Sequence, residues 1–129
     1  MKINLIIFLS RFGVGGAGNS IFRLCKGLSK KKINISIICL KNCPFDKEFK
    51  KIGIKVYKIK SNKTLFAMLK VLNITKSLIS NKYKKNIFIS NIHYTNVLSL
   101  IFLRNLNNLK IVLVERTPLM ELSIYFGFI

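Results

Sequence analysis

The stretch "INLIIFLSRFGVGGAGNSIFRLCKGL", residues 3–28, decides the fold. Its opening "INLIIFL" (3–9) is a near-continuous apolar run, the pattern of a strand buried on both faces. Gly13, Gly15 and Gly18 follow with the G-x-G-x-x-G spacing that marks a ligand-binding turn when it lies between a strand and a helix. Residues 19–31 then place Ile21, Leu24, Cys25 and Leu28 on one helical face, with Asn19 or Ser20 as the N-cap. Strand, glycine turn and amphipathic helix make the first unit of an α/β domain, and "INISIICL" (33–40) supplies the strand that closes it.

The same alternation continues along the chain. "PFDKEFKKI" (44–52) reads as a short helix ended by Gly53, and "IKVYKI" (54–59) as a third strand. "KTLFAMLKVLNITKSLIS" (63–80) sets Leu65, Leu69, Leu72, Ile74 and Leu78 at helical spacings. "NIFIS" (86–90), "YTNVLSLIFLRNL" (94–106) and "KIVLV" (110–114) read as strand, helix and strand. Parallel strands need crossover helices, so this order predicts a Rossmann-like parallel sheet of about five strands with helices on both faces. Residues 1–129 read as one such domain, without an internal repeat or a low-complexity linker.

Composition narrows the function classes. Half of the residues are hydrophobic, which argues for a folded core, and the formal net charge is +19 against only four acids. That balance favours anionic partners. Yet only Arg11, Arg23, Arg104 and Arg116 are arginines, the rest of the basic residues being lysines. Nucleic-acid readers lean on arginine and aromatic platforms, so no nucleic-acid role is expected. Cys25, Cys39 and Cys43 lack CxxC spacing and His93 is the lone histidine, a set that offers no metal site and reads as small buried thiols of a reducing compartment. The start "MKINLIIFLSRFG" has a basic head and an apolar stretch but no small-x-small cleavage site, so it reads as a strand rather than a signal peptide. No apolar run approaches the roughly 20 residues of a membrane-spanning helix.

Ligands of such sheets sit beyond the carboxyl ends of the strands. There this sequence places the glycine turn, "SNIHY" (90–94) and "ERTP" (115–118). Nicotinamide binding asks for an acid at the end of the second strand to hold the ribose hydroxyls, and Leu40, Lys41 and Asn42 stand there instead. Lys41 suits a 2′-phosphate, so a stand-alone NADP-type nucleotide- or phosphate-binding module stays open beside other phosphate and sugar ligands.

Three segments carry a family resemblance. "GVGGAGNSIFRLCKGLSKKKINISIICL" (13–40) resembles the opening of family-four glycosyltransferases, "IFISNIHYTNVLSLI" (87–101) is similar to their fourth strand and the helix after it, and "IVLVERTPLMEL" (111–122) to the stretch after their fifth strand. The resemblance implies the N-terminal, acceptor-side domain of a GT-B enzyme. Such enzymes move a sugar from a nucleotide-sugar donor to an acceptor with retention, usually without a metal or a cofactor. It further implies a cell-surface glycan or glycolipid acceptor, and a cytoplasmic location at or near the inner face of the plasma membrane, where lysines meet anionic lipid.

Residue by residue, Gly13, Gly15, Gly16, Gly18 and Asn19 correspond to the donor- or acceptor-binding loop. His93 corresponds to the histidine that hydrogen-bonds the transferred sugar or stabilises charge at the reacting centre, and Glu115 with Arg116 to the charged pair at the cleft edge. Two departures stand out. "GGAGN" (15–19) replaces the family's "GGAER", and the C-terminal nucleotide-sugar domain with its E-x7-E motif is absent, Ser123 lying eight residues after Glu115. The expectation is therefore a half-enzyme, inactive alone or completed by a partner chain that carries the second domain.

Overall fold

The computed structural model describes residues 3–9, 16–31, 33–40, 43–61, 63–91 and 93–115, with Gly16, Ala17 and His93 described in their backbone alone. In chain order the elements are β1 (Ile3–Leu9), α1 (Gly16–Leu28), β2 (Ile33–Leu40), α2 (Asp46–Lys51), β3 (Lys55–Ile59), α3 (Thr64–Leu78), β4 (Lys85–Asn91), α4 (His93–Leu103) and β5 (Lys110–Val114). The five strands form one all-parallel sheet in the order β3-β2-β1-β4-β5. This is the Rossmann-like α/β architecture that the alternating pattern predicts.

Side-chain alternation along the strands divides the core in two. Leu5, Ile7 and Leu9 of β1 join Ile35, Ile37 and Cys39 of β2 on the face covered by Ile21 and Cys25 of α1 and Phe49 of α2. Ile6 and Phe8 join Ile38, Leu40 and Phe88 on the face covered by Ala67, Met68 and Val71 of α3 and Leu98 and Leu103 of α4. Both faces of β1 are therefore dry, which is why its sequence runs apolar without alternation. Three phenylalanines join α1 to α2: Phe22 stacks on Phe45 with ring centroids 4.9 Å apart, and both meet the edge of Phe49.

At the amino ends of the strands a row of asparagines crosses the three central strands. Asn4 is paired in register with Asn34 on one side and Asn86 on the other. It accepts from Asn34 Nδ2 at 2.9 Å and donates to Asn86 Oδ1 at 2.9 Å and to the Leu78 carbonyl, at the end of α3, at 2.8 Å. Asn86 also donates to the Ser80 carbonyl and accepts from its N–H. The row satisfies polar atoms that burial would otherwise strand, and it fixes where α3 stops and β4 begins.

Two expected features differ. α1 starts at Gly16, so Asn19 and Ser20 lie inside its first turns and neither is an N-cap. The helix begins within the glycine stretch, at Gly16. In α3 the buried residues are Ala67, Met68, Val71 and Thr75, while Leu65 and Leu69 are exposed, and in α1 Leu24 is also exposed. Small Ala67 lets the α3 backbone approach the sheet, so the helix turns that face inward and leaves two of its leucines out. Gly53 ends α2 as predicted. Its φ of +80° is left-handed, and Gly53 N–H and Ile54 N–H close back onto the Lys50 and Phe49 carbonyls in a Schellman arrangement.

Candidate functional site

The chain winds from β1 through β2 to β3 at one edge, then crosses to β4 on the other side of β1. Strand order therefore reverses between β1 and β4, and the connections leaving these two strands diverge onto opposite faces. In open α/β sheets such a reversal marks the position, beyond the carboxyl ends of the strands, at which a ligand crevice is expected. α1 and α4 both begin at this edge, one on each face. Neither has an acid in its first turn, so the positive ends of both helices are left uncompensated by local carboxylates.

The β4 side is built from small polar residues. Asn91, the last residue of β4, is buried and its Nδ2 donates to the Phe8 carbonyl of β1 at 3.3 Å, tying the two crevice strands together. Ser90, pointing to the other face, accepts from the Ser99 hydroxyl of α4 at 3.0 Å, both fully buried. Asn96, in the first turn of α4, donates to the Val114 carbonyl at the end of β5 at 3.0 Å. Its Oδ1 is buried and has no hydrogen-bond partner. Thr95 beside it is buried as well. These bonds lock the start of α4 to the ends of both β4 and β5.

The residues singled out from sequence fall around this crevice. Gly16, Gly18 and Asn19 are in the opening turns of α1, with Gly18 buried and Asn19 half-buried, so the expected loop is helix from Gly16 onward. His93 is the first residue of α4, two residues past Asn91. Glu115 directly follows β5 and is exposed. Gly13, Gly15 and Arg116 lie outside the described residues, as does Lys41. Topology therefore brings the opening of α1 and the opening of α4 to the two sides of one crevice, with Glu115 one strand further along the same edge.

A second polar group lies at the carboxyl end of β2. Cys39 of β2 is paired in register with Lys58 of β3, and Lys58 Nζ donates to Asp46 Oδ2 of α2 at 2.7 Å. That hydrogen bond holds the Asp46 carboxyl below its ordinary value. The neighbouring Cys43 and burial raise the Cys39 thiol above the usual thiol range, while Cys39 and the Phe45 backbone lower Cys43. Cys25 has no such partner, and burial pushes it up to about 12. As expected, all three cysteines are free and buried.

Comparison with known proteins adds no relative. No family model, curated protein or solved structure matches the chain. Among the described residues no group of three or more His, Cys, Asp or Glu side chains could hold a metal ion, and no helix is long and apolar enough to cross a membrane.

Sequence reasoning absorbed Thr95, Asn96 and Ser99 into the apolar helix read over 94–106, and placed Asn91 in the 90–94 stretch without giving it a role. One signal was available. Thr95 and Ser99 stand four residues apart in "HYTNVLSLIFL", so they share a helix face, and a small polar pair on an inward face implies a buried partner.

Proposed function

We propose that this domain is the acceptor-side, N-terminal half of a GT-B glycosyltransferase that moves a hexosyl group from a nucleotide sugar to a cell-surface glycan or glycolipid acceptor. The observation that carries the reading is the opening of α1 at Gly16, within the glycine stretch, at the carboxyl end of β1 where strand order reverses. Helix N–H groups at that point suit a diphosphate, which gains negative charge as the glycosidic bond to the donor breaks. The first turns of α1 and α4 hold no acid that would oppose that charge. In this reading His93 hydrogen-bonds the transferred sugar, Glu115 and Arg116 form the charged pair at the cleft edge, and a second domain or a partner chain holds the nucleotide.

Half a donor site implies weak binding, in the millimolar range that corresponds to about −4 kcal/mol. The test is a two-dimensional amide NMR titration with uridine and guanosine diphosphate sugars, the free nucleoside diphosphates and NADP. The expected outcome is movement of the Gly16, Gly18 and His93 amides with the diphosphate ligands. Selective response to NADP would overturn the reading in favour of a stand-alone NADP-type module, and no response to any of them would overturn both. The lysine excess supports a companion proposal, contact with the anionic membrane that presents the acceptor. Binding to anionic vesicles should then fall steeply with salt; equal binding to neutral vesicles at high salt refutes it.

A further inference from the structure

We propose that the groove between the carboxyl end of β3 and the middle of α3 binds an organic phosphate monoester, its head held by Lys60 and Lys70 and its apolar part resting on Ile59 and Ile74. The groove stands two strands away from β1, where strand order reverses, and the proposal is independent of the glycosyltransferase reading.

Three features carry it, of which the first is room. A cavity of about 480 Å³ is lined by Lys58, Ile59, Lys60, Lys70, Asn73 and Ile74. That volume falls within the range of about 300–1,000 Å³ common among small-molecule sites. β3 is an outer strand of the sheet, and the cavity opens to solvent beside it.

The second feature is charge. Lys58, Lys60 and Lys70 line the cavity together and no carboxylate does. Lys58 Nζ is committed to Asp46 at 2.7 Å. Among the described residues Lys60 and Lys70 have no carboxylate partner, and they stand on opposite walls, one just past β3 and the other on α3. Two ammonium groups without an arginine fork suit a tetrahedral dianion approached from two sides better than a flat carboxylate. A phosphate monoester supplies that charge, about −1.5 to −2 at neutral pH.

The third feature is the pattern of the helix wall. Lys70, Asn73 and Ile74 stand at i, i+3 and i+4, so a cation, a carboxamide and an apolar side chain share one face of α3. Ile59 is buried and Ile74 half-buried in the core between the sheet and α3, which gives the groove an apolar floor beside its cations. Lysines that only guard an edge strand against pairing belong on the strand itself, whereas Lys70 lines the groove from the helix.

Exposed ion contacts are weak, so a dissociation constant of about 1 mM is expected. The test is an amide NMR titration of the full chain with phenyl phosphate, whose ring and dianion match the two halves of the groove. Saturable movement of the Lys60, Lys70, Asn73 and Ile74 amides is expected. Inorganic phosphate lacks the apolar part and phenol lacks the charge, so each should bind several-fold more weakly. Lys70→Met keeps the stem, removes the charge and should weaken binding about fivefold, whereas Lys30→Met, at an exposed position outside the groove, should leave it unchanged. Dihexanoyl phosphatidic acid, kept below its micellar concentration, separates the two sources of such a phosphate. Binding at the same amides tighter than that of phenyl phosphate supports the site with a lipid as its ligand, and weaker binding supports it with a soluble ester. Lack of saturable movement at these amides, equal binding of inorganic and phenyl phosphate, or equal effects of Lys30→Met and Lys70→Met overturns the proposal. Movement confined to the Gly16 and His93 amides also overturns it, and leaves the transferase reading intact.

Discussion

Replacing Asn4 by Ala tests the asparagine row across β2, β1 and β4. Asn4 is fully buried and makes three hydrogen bonds, to the Leu78 carbonyl, Asn86 Oδ1 and Asn34 Nδ2. A net contribution of about 1 kcal/mol each gives about 3 kcal/mol lost. The parts are unequal. Asn86 Oδ1 keeps the Ser80 N–H, and Asn34 lies at the surface where water replaces its lost acceptor. The Leu78 carbonyl is half-buried and regains water only in part, so it carries a share of the loss. Asn34→Ala removes one bond at an exposed position but takes the donor from Oδ1 of buried Asn4, and should cost about 1 kcal/mol, less than Asn4→Ala. Urea unfolding followed by far-UV circular dichroism gives both values on one scale, and Asn4→Ala should also melt roughly 10 °C lower. Equal losses in the two variants, or a loss under about 1 kcal/mol at Asn4, would refute the argument that the row satisfies buried polar atoms.

Gly53→Ala meets no atom within 4 Å but must hold φ at +80°, so it should cost about 1 kcal/mol through the backbone alone, and Gly53→Asn less; equal stability of glycine and alanine there would contradict the left-handed turn. Phe49→Ala empties the contact among Phe22, Phe45 and the α2 face, and an equilibrium unfolding loss of about 3–5 kcal/mol is expected. Lys58→Ala should return the Asp46 carboxyl toward 3.8 in an NMR titration. Because the native value is depressed, the stabilisation is present above pH 3.8 and lost as pH falls through the native value, so the variant should show a shallower acid loss. Identical Asp46 titration in both proteins would show that the Lys58 bond does not form in solution.

Much of the architecture was legible in the chain. The order of elements followed from where apolar runs change period, and β1, β2 and β5 match the predicted spans residue for residue. β1 and β2 are near-continuous apolar runs buried along most of their length, while β5 is an edge strand whose span follows from its short apolar run. Gly53 was equally plain, since a helix stop with positive φ has few other residues available. The candidate site was half legible. Its place at the carboxyl edge follows from topology, and His93 and Glu115 stand where the strand ends put them.

The amino-acid sequence by itself thus determined the strand–helix alternation and, through the right-handed crossover rule, a parallel sheet. Tertiary structure alone decided the rest, and in each instance the reason is a competition that local pattern does not rank. α3 is apolar around most of its circumference, so periodicity allowed the Leu65–Leu69 face, and close packing on the sheet selected Ala67, Met68, Val71 and Thr75. α1 could start at a polar cap or within the glycines, and docking of Ile21 and Cys25 onto β1 and β2 extends it back to Gly16. The polar contacts of Asn91, Asn96 and Ser99, and the closeness of Cys39 to Cys43, join groups whose partners are set by which strands become neighbours and by how the chain turns after β2, and hydrophobic period encodes neither.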